Sequence, residues 1–171
     1  MICLINPPQI KKIRGLYMSS PGLPLGLAYI SAALKRAGCR PTIVDAVGEG
    51  TEEVRPGSRE DFLVQGLETD EILRRIPGDT KILGISVNFS SQWLVARPLL
   101  RRVRARFPEV RIVAGGEHFT ATPEYSLRSG LVDVCVLGEG EDTAVAVVDA
   151  LTNGRPLAGV AGIAYRDPEG A

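Results

Sequence analysis

The chain has 171 residues, 44% of them hydrophobic and 23% charged, with 20 basic side chains set against 20 acidic ones for a formal net charge of +0 at pH 7. That length holds one domain with a full core and falls short of two ordinary ones. The balanced charge supplies no basic field for nucleic acid or an anionic membrane, and no apolar run approaches the roughly 18 to 20 residues that span a bilayer. The expectation is therefore a cytoplasmic α/β domain with neither as a partner. Three widely spaced cysteines, Cys3, Cys39 and Cys135, suit neither a disulfide framework nor a metal-ligand spacing; Cys3 and Cys135 lie in apolar runs and read as core thiols.

Residues 1–5, stopped by Asn6-Pro7-Pro8, read as a first buried parallel strand, and the run is too short for a signal-peptide core. Residues 9–23 have no clear period and read as a loop of a length that is usually functional. Pro24 opens a helix that carries Leu27, Ile30, Ser31 and Leu34 at three-to-four spacing and closes at Gly38. Residues 40–46 form the second strand, ending in Asp45, and residues 47–59, rich in Gly, Glu, Pro and Ser, read as an excursion and not a packed element. Thr69, followed by Asp70 and Glu71, caps a short helix that Pro77-Gly78 ends.

Residues 81–88 make a central strand whose last positions switch to Ser86 and Asn88. A helix follows through Leu94, Leu99 and Val103 to Phe107, and Pro98 inside it requires either a kink or a start near Arg97. Arg97, Arg101, Arg102, Arg104 and Arg106 read as the solvated face of that helix. Residues 110–114 are the fourth strand and run into Gly115-Gly116, where backbone without Cβ atoms takes positive φ or lets a large ligand lie against the main chain. Thr122-Pro123-Glu124 starts a short helix that closes at Gly130. Residues 132–137, the fifth strand, end in Gly138-Glu139-Gly140-Glu141, and a helix carrying Ala144, Val148 and Leu151 then reaches Asn153-Gly154. Residues 160–165 supply an extra sixth strand near the C-terminus.

Short buried strands alternating with helices imply a doubly wound parallel sheet, in which a ligand lies beyond the carboxyl ends of the strands. Four of those ends carry Gly, Ser, Asn or Pro. The common alternatives lack their residues: there is no G-x-G-x-x-G after the first strand, no phosphate loop and no G-x-S-x-G elbow. A site of backbone and small polar groups suits binding rather than proton chemistry.

Taken together, Asn6-Pro7-Pro8, Pro24-Leu25-Gly26-Leu27-Ala28-Tyr29, Asp45-Ala46, Gly84-Ile85-Ser86-Val87, Gly115-Gly116-Glu117-His118-Phe119-Thr120 and Gly138-Glu139-Gly140-Glu141-Asp142-Thr143 resemble the N-terminal cobalamin-binding domain of class B radical S-adenosylmethionine enzymes. The resemblance covers residues 1–166 and implies a flavodoxin-like sheet in strand order 2-1-3-4-5, with residues 167–171 beginning a linker to a radical domain outside this sequence. It implies cobalamin as the cofactor, with its nucleotide tail pushed into the domain. Asn6, Pro7, Pro8, Ser86, Val87, Asn88, Gly115, Gly116, Glu117, His118, Gly138, Glu139 and Gly140 are the implied cofactor-binding residues. Better-known cobalamin domains carry D-x-H-x-x-G after the first strand, whose histidine ligates cobalt; Asn6-Pro7-Pro8 stands there instead, so the resemblance implies base-off cobalamin without a protein histidine ligand.

His118, the one histidine, reads as a loop residue bonded within its own turn, or as a polar contact to the cofactor's nucleotide loop or amides. Trp93 reads as a core aromatic or a stacking surface. Three cysteines do not hold a four-iron cluster, so iron-sulfur and S-adenosylmethionine chemistry is expected only in the radical domain, whether in a parent chain or a separate partner. No catalysis is expected of these residues alone, and the parent would be a methyltransferase. The competing readings are a non-catalytic flavodoxin-like interaction domain, docking a partner through residues 11–23, and a nucleotide- or flavin-binding domain.

Overall fold

The computed structural model describes residues 1–13 and 22–166. In chain order it contains β1 (Ile2–Asn6), β2 (Gln9–Lys12), α1 (Leu25–Arg36), β3 (Pro41–Asp45), α2 (Ala46–Glu49), β4 (Val54–Pro56), β5 (Phe62–Gln65), α3 (Thr69–Arg75) and β6 (Ile82–Ser86). Then follow α4 (Trp93–Arg106), β7 (Arg111–Gly115), α5 (Glu117–Ala121), α6 (Pro123–Arg128), β8 (Val134–Val136), α7 (Glu141–Asn153) and β9 (Ile163–Tyr165).

Six strands form the main sheet in the order β3-β1-β6-β7-β8-β9. The first five are parallel, while β9 runs antiparallel to β8 at the edge. This is the doubly wound, flavodoxin-like sheet expected; the differences of detail are the antiparallel edge strand and a separate sheet. Period-two alternation divides the side chains between two cores. Cys3, Ile5, Ile85, Val87, Ile112 and Ala114 pack on one face beneath α3 and α4 with Phe119, and Leu4, Ile82, Val113, Val134 and Val136 pack on the other beneath α1 and α7. Among the described residues, no helix is long and apolar enough to cross a membrane.

Several expectations are corrected. Residues 9–12 are not loop: β2 pairs antiparallel with β5, which pairs with β4 in a second, three-stranded sheet. The Gln9 and Gln65 side chains hydrogen-bond across that sheet at 2.7 Å, and Arg55 donates to the carbonyls of Gly66 and Leu67. Strands of three or four residues show too little period to stand out, and the pairing of β2 with β5 joins segments far apart in the chain, Gln9 with Gln65. The expected loop over residues 14–21 and the linker over 167–171 lie outside the described residues.

Residues 47–59 are likewise packed at their start, because the Asp45 carboxylate accepts from the Gly48 N–H at 3.0 Å and begins α2, which buries Ala46 and Val47. Glu68, not Thr69, precedes α3, in a capping box with Glu71. Helix α4 begins at Trp93 after a single 3₁₀ turn and runs through Pro98, so it does not start near Arg97. Thr122 makes no side-chain cap for α6; its hydroxyl donates instead to the His118 carbonyl at 2.7 Å.

Arg104 departs from the solvated face expected of its cluster. Its guanidinium donates to the Val110 carbonyl and to Asp133, whose carboxylate also accepts from the Ile112 N–H at 2.6 Å. One carboxylate thus ties α4 to the start of β7. Asp133→Ala leaves both donors without their acceptor and is expected to lower stability by about 1–3 kcal/mol in urea unfolding, with an unchanged m-value.

Candidate functional site

Parallel strands buried on both faces leave no room for a ligand unless side chains are missing from one face. On the face covered by α1 and α7, Leu4, Gly84, Val113 and Val134 lie in register across β1, β6, β7 and β8, and one step toward the carboxyl ends Ser86 stands beside Gly115. Gly84 and Gly115 therefore remove two side chains from adjacent strands. Above the gap is a cleft of about 280 Å³, floored by the sheet and walled by Leu27, Ile30 and Leu34 of α1 and by Ala144 and Val148 of α7. This is close to the lower end of ligand sites, which run from about 300 to 1,000 Å³.

The cleft opens at the carboxyl ends of the strands. Asn88, Gly116, Glu117, Gly138, Glu139, Gly140 and Glu141 line its mouth. A Cβ at Gly140 would stand 3.0 Å from Ile30 Cδ1, so glycine there lets the start of α7 close against α1. Among the described residues, three carboxylates and no lysine, arginine or histidine line the cleft.

The two glycines of the Gly115-Gly116 pair have separate causes. At Gly115 an added Cβ meets nothing nearer than Val136 at 3.9 Å, so its missing side chain is open space in the cleft. Gly116 has φ +99°, and a Cβ there would lie 2.6 Å from the Val87 carbonyl oxygen and 2.7 Å from Asn88 Oδ1. The protein's own backbone requires it: the Val87 N–H donates to the Gly115 carbonyl at 2.9 Å, and the His118 N–H returns to the Val87 carbonyl at 3.1 Å.

Of the residues implied by the sequence, Ser86, Asn88, Gly115, Gly116, Glu117, Gly138, Glu139 and Gly140 come together around the cleft. Asn6, Pro7, Pro8, Val87 and His118 are not among its lining residues. The Asn6 amide donates to Asp45 Oδ1 at 2.7 Å, tying the ends of β1 and β3, and Pro7 and Pro8 are buried. Val87 belongs to the core on the other face.

His118 is 4% exposed, and neither of its sequence readings describes what holds it. Its ring forms a cluster with Trp93 and Phe119, whose centroids are 5.3 and 5.1 Å away and 5.6 Å from each other, and Nδ1 is 3.0 Å from the Ser90 hydroxyl in the 3₁₀ turn before α4. Trp93 is a core aromatic. Gly84 escapes identification as a site residue in the sequence, although a glycine interrupting an apolar strand is itself a signal of close approach. The apolar walls from α1 and α7 carry no such signal, since they look like ordinary core.

A doubly wound parallel sheet with a narrow apolar slot at its carboxyl edge defines a flavodoxin-like ligand-binding domain. The B12-binding domain family model matches residues 12–148, and the chain belongs to that family. It is 34% identical over 149 residues to cytidylyl-2-hydroxyethylphosphonate methyltransferase of Streptomyces wedmorensis, covering 86% of this chain and 28% of that protein. It is 30% identical over 167 residues to an uncharacterised methyltransferase of Pyrococcus horikoshii, covering 97% and 32%. Among solved structures it resembles the radical S-adenosylmethionine methyltransferase TsrM from Kitasatospora setae, with TM-score 0.70 and 18% identity over 99% of this chain and 29% of that one. The cobalamin-dependent S-adenosylmethionine radical enzyme OxsB matches with TM-score 0.72 and 20% identity, over 99% and 21%. The chain spans a third or less of the length of each of these proteins.

Two outcomes follow from this geometry. Gly116→Ala strains φ and crowds the Val87 carbonyl, and is expected to lower Tm by several degrees, whereas Gly115→Ala, which meets open space, leaves it nearly unchanged. Burial holds the His118 imidazole below its ordinary 6.5, so the unfolded chain takes up that proton first. Stability is therefore full above about pH 6.5 and declines as pH falls below it. Thermal unfolding between pH 7 and pH 5 is expected to show a smaller fall in Tm for His118→Gln than for the wild type.

Proposed function

We propose that the chain is the cobalamin module of a cobalamin-dependent radical S-adenosylmethionine enzyme, holding base-off methylcobalamin for methyl transfer to a substrate carbon radical. The observation that carries the reading is the cleft above Gly84 and Gly115: apolar, narrow, and open where the strands end. Its residues fit the nucleotide tail of cobalamin, with Leu27, Ile30 and Val148 against the base and Asn88, Glu117 and Glu139 at the mouth beside the amide-bearing corrin. When bound, the cofactor supplies the cobalt-borne methyl group, and the chain supplies position.

His118 supports a base-off state without a histidine ligand, because its ring is packed against Trp93 and Phe119 on the far side of the sheet. The named relatives and structural neighbours are much longer proteins, several of them called methyltransferases. Iron-sulfur cluster and S-adenosylmethionine then belong to a catalytic domain that works with this module.

Purified chain mixed with hydroxocobalamin at micromolar concentration is expected to carry corrin absorbance through gel filtration; free elution of all the corrinoid overturns the proposal. Gly115→Val, which puts a branched side chain into the slot at an ordinary φ, is expected to weaken retention about tenfold or more while leaving the far-ultraviolet circular dichroism unchanged.

A further inference from the structure

The cleft changes chemistry along its depth. Its polar side chains stand at the mouth, and Ser86 is one register step further in. Past the Leu4–Gly84–Val113 layer the lining is Ile2, Ile82, Leu34 and Val148, which among the described residues brings no side-chain donor or acceptor. The strand backbone there is committed to the ladders joining β1, β6 and β7. A water molecule needs two or more polar partners to be held, and the deep end offers none.

From this gradient we infer that the cleft selects among cobamides by their lower base, accepting a benzimidazole and rejecting a purine. The inference rests on the proposed cofactor and adds a specificity to it. A base tethered through its ribose at the mouth enters with the edge remote from the glycosidic bond foremost. In dimethylbenzimidazole that edge is two methyl groups, which match Ile82, Val113 and Val148. In adenine it is a ring nitrogen and an exocyclic amine, which lose their hydration against the same side chains and gain no partner. Gly84 admits no side chain, because a Cβ there would lie 2.7 Å from Leu4 Cδ2, and Val113, in register beside it, sets the polarity: Val113 is the specificity-determining residue.

The test is equilibrium dialysis of the purified chain against three corrinoids in the same upper-ligand form: cobalamin, the cobamide with adenine as its lower base, and cobinamide, which has no nucleotide. Cobalamin is expected to bind more tightly than the adenine cobamide by about tenfold or more, with cobinamide also weaker than cobalamin. Equal binding of the two complete cobamides overturns this inference while leaving the cobalamin reading standing. Failure of all three to bind overturns that reading and the inference with it. Val113→Thr, nearly equal in volume, places a hydroxyl at the deep end. With its fold verified by circular dichroism, it is expected to narrow the preference by about threefold or more, and an unchanged ratio assigns the selectivity elsewhere and overturns the inference.

Discussion

The structure depends on a gap in one face of its sheet. Five parallel strands with helices on both sides would ordinarily close into two dry cores, since each inward side chain meets a helix. On the α3–α4 face this happens, with Ile85, Ile112 and Leu100 buried together. On the α1–α7 face Gly115 leaves open space and Gly84 has no side chain of its own, its place being reached by Leu4, whose Cδ2 would lie 2.7 Å from a Cβ there; the helices stand over a slot instead of a filled layer. The surrounding apolar residues that elsewhere serve packing serve here as the lining of a site.

The opposite face supplies the rigidity such a gap needs. The ends of β6 and β7 are locked by the exchange between Val87, Gly115 and His118, and the His118 ring is held by Trp93, Phe119 and Ser90. Asn88, at the mouth, follows directly from this clamp. The division of labour explains why one member of the Gly115-Gly116 pair faces the cleft as open space while the other accommodates the neighbouring strand.

The main sheet was legible in the sequence because its strands are β-branched runs punctuated by Pro, Gly or Asn, and because Pro24, Gly38 and Gly154 mark helix ends. The second sheet was not, since β2, β4 and β5 are three or four residues long and acquire meaning only when Gln9 meets Gln65. At the site, glycines and polar strand ends announced the mouth. The walls did not announce themselves: Leu34 and Val148 have the spacing of any buried helix stripe, and only the glycines opposite them turn that stripe into a pocket. For a shared reason, Asn6 and His118 do not line the cleft. Both follow strands at the correct edge, yet a neighbouring group, Asp45 or Ser90, holds each side chain.

The second sheet also sets an order of assembly. β2 leaves β1 only two residues after its end, but its partner β5 begins at residue 62, beyond α1, β3, α2 and β4. β2 therefore finds its partner only after α1, β3, α2 and β4 have been made. Contacts of such long sequence separation pay their loop-closure entropy late. The mouth of the cleft comes later still, because Asn88, Gly116, Glu117 and Gly138 to Glu141 all follow β5 in the chain. The second sheet can therefore be complete while the entrance to the site, and the α7 wall behind it, have yet to be made.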